Sequence, residues 1–447
     1  MGSGFAGLGD CMTKVINVGL IGFGTIGTGV VKTLQMNGGL IAKRLGAEIR
    51  LKKIADLDIA RDRGVQVEPS LLTTRAEDIL DDPEIHIVIE LMGGYHPARE
   101  FLLKAVENGK HVVTANKALL AKHGEEIFRA VESKGLSMGF EASVGGGIPV
   151  IRTLKEGFAG DEIRSIYGIV NGTANYILSK MSDEGKSFQE ALKEAQTLGF
   201  AEADPTFDVE GHDSAHKIAI LALLAFGARV PMDQVYMEGI SRITPEDIDF
   251  ARQFGYRIKL LAIAKRRGEV LDIRVHPTMI PSGHPIANIN GATNAIEIMG
   301  NAVGTSLLVG AGAGSLPTAS AVTGDLVEIA RNILSGRTNR VPVQSFLQEH
   351  IRSMPIKPMD EMESEYYLRF SLKDKPGVLS KISGLLGDHG ISIASVIQKE
   401  RLEGNWVPVV MTTHAALGKN MRLALEAIRK LDIIQEEPFY LRLEEEG

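Results

Sequence analysis

The sequence predicts an α/β protein made of three domains, and three observations support that prediction. Strand-like and helix-like segments alternate from 12 to 149, which is typical of a parallel sheet with helices on both faces. From 150 to 310 the segments follow a mixed α+β order, and from 365 to 447 they follow the ferredoxin-like order βαββαβ. A chain of 447 residues has room for these domains at about 100–200 residues each.

The composition of the chain argues against several classes of protein. A net charge of −7 argues against a concentrated basic surface, so we expect no nucleic-acid partner. No apolar run reaches the ~18–20 residues of a membrane-spanning helix, so we expect no membrane partner. The single cysteine, Cys11, excludes an internal disulfide framework and a cysteine-based zinc site, and is typical of a reducing, cytoplasmic location. Residues 1–11 are glycine-rich and unlike a signal peptide, and we interpret them as an extension before a natural start at Met12.

A glycine motif opens the first predicted domain. The buried strand 15–21 is followed at once by G-x-G-x-x-G, and a helix begins at Thr28. In this position the first glycine makes a tight turn, the second lets backbone approach a pyrophosphate, and the third lets helix and strand pack closely. The helix N-terminus attracts phosphate, so the motif predicts a Rossmann-type dinucleotide site, with a plain strand–helix turn as the alternative. The predicted cofactor-binding residues of this loop are Gly22, Phe23, Gly24, Thr25, Ile26 and Gly27.

The second strand, 48–55, ends at Asp56, where an acidic residue is expected to bind the ribose of NAD. Arg61 and Arg63 follow and have the charge to hold the 2′-phosphate of NADP, so the choice between NAD and NADP stays open. Asp56 can also be read as a solvated carboxylate at a strand end. The distance from the glycine motif is longer than usual, and we interpret 36–46 as an inserted loop.

Later strand ends predict further contacts with ligands. Ligands of open α/β sheets lie beyond the carboxyl ends of the strands, and Thr114 and Lys117 follow such an end. A glycine-rich loop at 142–148 is either a turn or an ion or ligand site. A second glycine loop ends at Gly314 and opens a helix, which predicts that 311–340 returns to the nucleotide domain unless it is a flexible connector.

The run from Leu198 to Lys217 is the most informative part of the chain. Asp213 and Lys217 are four residues apart and share one face of a helix. The following residues, 218–226, are apolar on all sides and indicate a buried helix. Burying charge costs several kcal/mol per ion unless the charge is paired or used, so this pair is either structural or catalytic. The charged residues of the run are Glu202, Asp204, Asp208, Glu210, Asp213 and Lys217.

Taken together, these motifs resemble the homoserine dehydrogenase family, in its monofunctional form with a C-terminal ACT domain. The resemblance runs from Val15 to about Leu443. It implies that the protein reversibly reduces L-aspartate 4-semialdehyde to L-homoserine. The reductant would be the reduced form of either NADP or NAD. The motifs that carry it are the glycine motif, Thr-Ala-Asn-Lys117, Glu141-Ala-Ser-Val-Gly-Gly-Gly-Ile148, Asn-Gly-Thr173 with Asn-Tyr-Ile177, and the run from Leu198 to Lys217.

The resemblance also implies roles for individual residues. Lys217 corresponds to the proton donor, Asp208 to an acid needed for activity, and Lys117 to a lysine at the junction of cofactor and substrate. Gly314 corresponds to the loop over the cofactor, and a sodium site made largely of backbone carbonyls is expected at Glu141, Val144, Gly146 and Ile148. The residues expected to bind substrate are Gly199, Glu202, Asp208, Asp213, Lys217, Asn171 and Thr173.

Residues 150–310 are then expected to form the substrate and dimerisation domain of a homodimer or homotetramer, and 341–364 a linker. The turn with Asp374, Gly377 and Val378 resembles the effector-binding turn of ACT domains. That resemblance implies feedback control by threonine, with a purely dimerising domain as the alternative.

The chemistry expected of this family agrees with these residue types. Hydride arriving at the carbonyl carbon builds an alkoxide, which a nearby lysine can stabilise and protonate. Whether Lys117 or Lys217 donates is left open by the sequence. A phosphorylating semialdehyde dehydrogenase would need a catalytic cysteine, and Cys11 lies in the glycine-rich start. A non-catalytic amino-acid sensor on the same architecture is the remaining alternative.

Overall fold

A computed structural model describes residues 14–338, 340–398 and 406–444, and it divides into two compact units. One unit contains the described chain up to Gly157 together with Ala313–Gln348, and the other contains Phe158–Gly312 and the described chain from Glu349 onward. The expectations for residues 1–11 and for Met12 lie outside the described residues. Within the described ranges, no helix is both long enough and apolar enough to cross a membrane.

The first unit is built on one parallel sheet. Its strands are β1 (Lys14–Ile21), β2 (Ala47–Ala55), β3 (Leu72–Thr73), β4 (Ile87–Glu90), β5 (His111–Thr114) and β6 (Met138–Gly139). Its helices, numbered by position in the whole chain, are α1 (Thr25–Leu45), α2 (Glu77–Leu80), α3 (Ala98–Glu107), α4 (Lys117–Ser133), α5 (Val150–Arg152) and α11 (Ser315–Ser335). The strand order is β3-β2-β1-β4-β5-β6, which reverses between β1 and β4 and confirms the predicted Rossmann-type fold.

Helix α11 packs against α1 within this unit, so the chain does return to the nucleotide fold after a long excursion. A side chain at Gly29 would overlap the backbone of Ser315, which shows how closely the two helices approach. The hydroxyl of Ser315 donates to the carbonyl of Thr25 at 2.7 Å. Val322 and Leu326 of α11 are fully buried in the same core as Val18 of β1.

The predicted inserted loop at 36–46 is wrong, because α1 continues through Leu45. The two glycines Gly38 and Gly39 suggested a loop, yet both lie inside the helix, where each costs about 1 kcal/mol relative to alanine. The helix ends at Gly46, which has a positive φ of 75° and donates its N–H to Ala42. A long helix, rather than a loop, therefore separates the glycine motif from Asp56.

The second unit is dominated by a mixed sheet. Its strands are β7 (Ile163–Ile169), β8 (Ala228–Arg229), β9 (Tyr236–Met237), β10 (Tyr256–Arg267), β11 (Val270–Pro281), β12 (Thr293–Gly300), β13 (Gly304–Ala311), β14 (Arg352–Ser353), β15 (Glu363–Lys373), β16 (Ile393–Gln398), β17 (Trp406–Thr413), β18 (Ala416–Leu417) and β19 (Phe439–Leu443). Its helices are α6 (Gly172–Glu184), α7 (Phe188–Thr197), α8 (Thr206–Val209), α9 (His212–Phe226), α10 (Pro245–Gln253), α12 (Val378–Asp388) and α13 (Gly418–Ile428). The main strand order is β13-β12-β7-β10-β11-β19-β15-β17-β16.

The last part of the chain has the predicted βαββαβ order and a hydrophobic core of its own, and its sheet is continuous with that of the rest of the second unit. Strand β19 pairs with β11 in parallel, with Thr278 beside Arg442 and Met279 beside Leu443. Glu444 adds ion pairs to Lys265 at 2.7 Å and to Arg274 at 2.9 Å. The C-terminal strands therefore extend the sheet of the substrate domain, a long-range pairing that segment order does not reveal.

Two further expectations differ from the structure. The segment 286–289, which the sequence predicts as a short strand, is instead part of a 3₁₀ helix, Pro285–Asn288, because proline starts it and the His284 ring accepts the Ile286 N–H. The predicted linker at 341–364 is not a free connector. It contains β14, which pairs with β8, and its side chains Val343 and Met354 are buried.

Histidine 111 makes the stability of the first unit depend on pH. Its Nδ1 accepts the Ser137 N–H at 2.9 Å, and burial with the nearby charge of His86 lowers the pKa of His111 to about 4. The folded ring stays neutral while the unfolded ring takes a proton below about pH 6.5. We therefore expect the free energy of unfolding to fall, by at most about 3 kcal/mol from this group, as the pH drops from 6.5 to 4.

The variant His111→Asn, whose carbonyl can accept the same N–H, is expected to weaken that pH dependence in urea unfolding followed by circular dichroism. His350→Asn is the matched control, because His350 is exposed. Equal pH slopes for wild type and His111→Asn would contradict this account.

Candidate functional site

The glycine motif forms the turn that the sequence predicts. Gly22 has a positive φ of 97°, and a side chain there would lie 2.7 Å from the backbone of Leu91. A side chain at Gly27 would overlap the carbonyl of Gly22, whereas the space at Gly24 is open to at least 4 Å. Glycine is thus required for the turn at Gly22 and Gly27, and Gly24 leaves room for a phosphate at the N-terminus of α1.

Asp56 lies beside this turn, and its carboxylate already accepts hydrogen bonds from within the protein. Its Oδ2 accepts the Phe23 N–H at 2.6 Å, and its Oδ1 accepts from Arg63 Nη2 at 3.1 Å. The Arg63 guanidinium also lies 4.8 Å from the centre of the Phe23 ring and donates to the Phe23 carbonyl. Arg61 is exposed and contributes its carbonyl to Arg63 at 3.0 Å. The structure therefore assigns the arginine next to Asp56 to position 63, not 61.

The ends of β4 and β5 hold a buried acid that the sequence analysis missed. Glu90 is fully buried, accepts the Thr114 hydroxyl at 2.6 Å and accepts the Met92 N–H at 2.8 Å. Burial raises the pKa of this carboxyl. Thr114 is itself fully buried, so its side chain supports Glu90. The sequence signal that could have identified Glu90 is an acidic residue inside the otherwise apolar run of β4.

Lys117 is the first residue of α4, directly after Asn116, whose side chain caps that helix by accepting the Leu119 N–H at 3.1 Å. Gly314 precedes α11 with a positive φ of 121°. Both residues thus lie at helix N-termini of the first unit.

The loop after β6 is unusual because its backbone is buried. Val144, Gly146 and Ile148 are buried. The carboxylate of Glu141 accepts the N–H groups of Ile151 and Arg152, both at 2.8 Å. Within the described ranges, no group of three histidine, cysteine or acidic residues could hold a metal. Any cation here would be bound by backbone carbonyls.

In the second unit, four predicted site residues form one hydrogen-bonded cluster. Lys217 Nζ donates to Asp213 Oδ2 at 2.7 Å and to the carbonyl of Val170 at 2.6 Å. Asn171 Nδ2 donates to the same Asp213 oxygen at 2.9 Å and to Asp208 Oδ1 at 2.7 Å. The amide of Asn171 therefore joins two carboxylates that would otherwise repel each other.

Local structure explains how these groups meet. Asn171 follows β7 and caps α6, because its Oδ1 accepts the Ala174 N–H at 2.8 Å. Asp213 and Lys217 lie on successive turns of α9, which starts after Gly211 at a positive φ of 87°. The part of α9 after Lys217 is apolar and mostly buried, so it anchors the pair.

Burial removes most of the water from around the charged side chains of this cluster. The side chains of Lys217 and Asp213 are 10% and 5% exposed, so the pair is largely desolvated. Burial raises the pKa of the Asp208 carboxyl, while the hydrogen bond from Asn171 acts in the opposite direction. Such an arrangement can hold a charged polar ligand and can supply a proton from an ammonium at a fixed position.

The remaining predicted substrate residues lie around this cluster. The Thr173 hydroxyl donates to the carbonyl of Phe200 at 2.6 Å, which fastens the acidic segment to α6. Gly199 has a positive φ of 76° in the turn after α7. Glu202 is exposed, and its backbone carbonyl accepts from Gln196 at 3.1 Å. The structure thus unites four of the predicted residues and leaves Glu202 at the surface. The Val170 carbonyl was missed, because a backbone partner has no sequence signal.

The predicted effector turn joins β15 to α12. Gly377 has a positive φ of 86°, which favours glycine, and the Val378 N–H donates to Lys375 at 3.3 Å. Asp374 precedes this turn at the end of β15.

Comparison with known proteins gives consistent results along the chain. Family models described as homoserine dehydrogenase, its NAD-binding domain and the ACT domain match residues 149–327, 22–141 and 366–432. A homoserine dehydrogenase from Pseudomonas aeruginosa is 46% identical over 435 residues, covering 97% of this chain and 99% of the relative. The crystal structure of one from Thiobacillus denitrificans gives a TM-score of 0.91 at 47% identity, covering 97% of this chain and 99% of that one. A hyperthermophilic archaeal homoserine dehydrogenase mutant in complex with NADPH gives 0.61 at 26% identity, covering 70% and 97%.

The bridging role of Asn171 leads to a stability prediction. We expect Asn171→Ala to lower the free energy of unfolding by about 1–3 kcal/mol, because it removes one donor from each of two carboxylates and the acceptor that caps α6. Asn171→Asp should lower it further, since a third carboxylate then joins two others. Urea unfolding followed by circular dichroism measures both. An Asn171→Asp protein as stable as wild type would contradict the bridging role.

Proposed function

The chain belongs to the homoserine dehydrogenase family, and on that premise we propose that Asn171, Asp208, Asp213 and Lys217 form its substrate-reduction site. It is an oxidoreductase that reversibly reduces L-aspartate 4-semialdehyde to L-homoserine with a nicotinamide cofactor. The observation that carries the site assignment is the desolvated Lys217 ammonium, held by Asp213 and by the Val170 carbonyl at 2.7 and 2.6 Å.

Lys217 acts as the proton donor in this proposal. When bound, the reduced nicotinamide supplies the hydride. The Lys217 ammonium stabilises the negative charge that develops on the substrate oxygen and gives it a proton. Asp213 and Val170 fix the position of Nζ, so little reorganisation is needed as the charge develops. In the reverse direction the amine of Lys217 takes the proton from the homoserine hydroxyl. Lys117 is kept as the second candidate donor.

The acids of the cluster suit the other end of the substrate. An aspartate semialdehyde carries an ammonium group, and Asp208 and Asp213 provide two carboxylates held by one amide, at 2.7 and 2.9 Å. Because Asn171 donates to both oxygens, the acids keep their positions before substrate arrives. Asp208 and Asp213 therefore orient the substrate, with Gly199, Glu202 and Thr173 on the surrounding segments.

We infer that the cofactor site accepts NADP. Asp56 is partly neutralised by the Arg63 guanidinium at 3.1 Å and by the Phe23 N–H, which reduces its repulsion of a 2′-phosphate. Arginine also recognises phosphate through planar paired donors. NAD remains acceptable to the same loop, because the pyrophosphate contacts at Gly24 do not depend on this residue.

A sodium ion is also part of this proposal, held by the loop after β6. The donor set is suitable for a hard cation, since the buried residues Val144 and Gly146 bring backbone carbonyl oxygens to this loop. Glu141 and Ile148 would contribute through their backbone, because the Glu141 carboxylate is already bonded to Ile151 and Arg152.

Regulation and assembly complete the proposal. The ACT domain supports feedback control by threonine, and the Asp374–Val378 turn is the position that the family resemblance suggests. Strand β13 lies at a sheet edge with Val309 half exposed, which supports assembly into a homodimer or homotetramer. A cytoplasmic location remains part of the proposal.

For Lys217→Met we predict a fall in kcat of about 100- to 10,000-fold, because the general acid is lost. Cofactor binding, measured by nicotinamide fluorescence, should stay close to wild type. Lys193→Met, on an exposed site of α7, is the control and should keep full activity. A Lys217→Met enzyme that keeps most of its rate would refute the donor assignment. The wild-type protein should also form reduced nicotinamide when homoserine is added. That result would exclude the alternative that the protein is a non-catalytic amino-acid sensor.

Cofactor choice is tested with a matched pair of arginine variants. Arg63→Ala should raise the KM for NADPH by about tenfold and change the KM for NADH less, because one charge-assisted phosphate contact is lost. Arg61→Ala should change neither constant, since Arg61 is exposed and the ion pair with Asp56 is formed by Arg63. If Arg61→Ala alone weakened NADPH, the assignment to position 63 would be wrong.

Threonine control is tested by titrating threonine into the forward reaction of the full-length protein. We expect inhibition, or a change in oligomeric state seen by size-exclusion chromatography. Deletion of 365–447 is a poor test, because it would remove β19 from beside β11. No effect of threonine on rate or assembly would count against the threonine proposal.

A further inference from the structure

Glu90 is a buried acid that none of the roles proposed above accounts for. It is the last residue of β4, it follows three apolar residues, and its side chain is fully buried. An ionised carboxylate in such a place costs several kcal/mol unless it is paired or used. Burial raises the pKa of Glu90, while its hydrogen bonds act in the opposite direction. The partners of Glu90 therefore indicate what an acid does at this position.

Glu90 joins two loops at the carboxyl ends of neighbouring strands. Its Oε1 accepts the N–H of Met92 at 2.8 Å and that of Gly93 at 3.3 Å, in the loop after β4. Its Oε2 accepts the hydroxyl of Thr114 at 2.6 Å, at the end of β5. All three partners are donors, and an ionised carboxylate can accept from all of them at once. One buried side chain therefore satisfies polar groups of both loops.

Asn116 connects the same two loops a second time. Its backbone N–H donates to Oγ1 of Thr114 at 3.0 Å, and its Nδ2 donates to the carbonyl of Gly94 at 2.6 Å. Its Oδ1 caps α4 by accepting the Leu119 N–H. The loop after β4 is thus tied to the start of α4, where Lys117 is the first residue.

The contacts of Glu90, Thr114 and Asn116 with the loop 92–94 form one closed set, which we call the Glu90 network. The loop has an unusual backbone, because Gly93 and Gly94 both have a positive φ, of 77° and 72°. Residues in this conformation need an acceptor outside regular structure, and Glu90 provides it for the Gly93 N–H.

The Glu90 network lies beside the predicted cofactor crevice. A side chain at Gly22 would lie 2.9 Å from the backbone nitrogen of Met92, so the loop after β4 packs against the glycine motif. Ligands of open α/β sheets lie beyond the carboxyl ends of the strands where the strand order reverses, which here is between β1 and β4. The two loops that Glu90 joins therefore border the place where the nicotinamide cofactor is expected.

We propose that Glu90 is a positioning residue for the reduction, because its carboxylate holds the loop 92–94 and the start of α4 in one arrangement beside the cofactor crevice. This inference rests on the proposed function, in which the glycine motif binds the cofactor and Lys117 lies at its junction with substrate. Glu90 itself exchanges no proton with substrate. Glutamine cannot replace it, because a single oxygen must leave either the loop N–H groups or the Thr114 hydroxyl without an acceptor.

Hydrogen exchange of the protein without cofactor, followed by mass spectrometry, tests the structural part. Glu90→Gln should speed exchange at least about fivefold in two segments, 91–96 and 117–121, because both lose a fixed partner. Exchange in β1 should stay as in wild type. Glu107→Gln, at an exposed site on α3, is the matched control and should exchange like wild type throughout. Faster exchange in 91–96 alone, or a uniform increase over the whole unit, would overturn the proposal.

Steady-state kinetics and cofactor binding test the positioning part. Glu90→Gln should lower kcat for homoserine oxidation about 10- to 100-fold, since a misplacement of about 1 Å can cost that much. Its Kd for NADPH, measured by nicotinamide fluorescence, should change less than about threefold, because the N-terminus of α1 still binds the phosphates. A kcat equal to that of wild type would overturn the proposal, and so would a rise in Kd as large as the fall in kcat.

Thr114→Val breaks the Glu90 network at a second point and changes little volume, so it serves if Glu90→Gln folds poorly. It should also lower kcat and speed exchange in the same two segments. The double variant Glu90→Gln/Thr114→Val should resemble the more impaired single variant, because residues of one network do not act independently. Effects of the two substitutions that simply multiply would overturn the network.

The exchange measurement also separates this proposal from the proposed function, because it needs no turnover. A wild-type protein that oxidises no homoserine would contradict the proposed function. The exchange rates of Glu90→Gln and Thr114→Val would then decide on their own whether Glu90 holds the two loops together.

Discussion

The hydrogen-bonded cluster around Lys217 is the constraint on which the second unit depends. An ammonium and a carboxylate that are nearly buried cost several kcal/mol unless every polar atom finds a partner. Here Asp213 and the Val170 carbonyl take up the ammonium, and Asn171 shares its amide between Asp213 and Asp208. The strand β7, the cap of α6 and the start of α9 must all be in place for these contacts to exist. The contacts that hold the Lys217 ammonium in place therefore exist only when the second unit is folded.

The C-terminal domain is held to the substrate domain by charge as well as by backbone pairing. Glu444 binds Lys265 and Arg274, and Arg274 also contacts Asp272 and donates to His276 at 3.0 Å. Buried ionic networks of this kind specify register more than they add stability, because each ion loses hydration. They fix β19 at one position against β11, so the C-terminal strands and the substrate domain share one sheet.

In the first unit, the predicted cofactor site is formed by backbone geometry rather than by side chains. Gly22 and Gly27 cannot carry side chains, and Gly24 leaves open space where a phosphate would approach. The side chains near this turn are already paired, Asp56 with Arg63 and Glu90 with Thr114. They hold the turn in shape before any cofactor arrives, so binding need not order the loop.

The sequence by itself determined the features that depend on short spacings. The glycine motif, the four-residue interval between Asp213 and Lys217, the apolar α9 and the order βαββαβ follow from local periodicity, and the family resemblance rests on the same motifs. Only the tertiary structure decided that Asn171 bridges two acids, that Arg63 and not Arg61 lies beside Asp56, that α1 runs through its glycines, and that β19 joins β11. The physical reason is that the contacts of Asn171 and of β19 join residues distant in the chain, which leaves no pattern along the sequence. The choice of Arg63 and the continuation of α1 are local, but spacing and glycine content alone did not predict them.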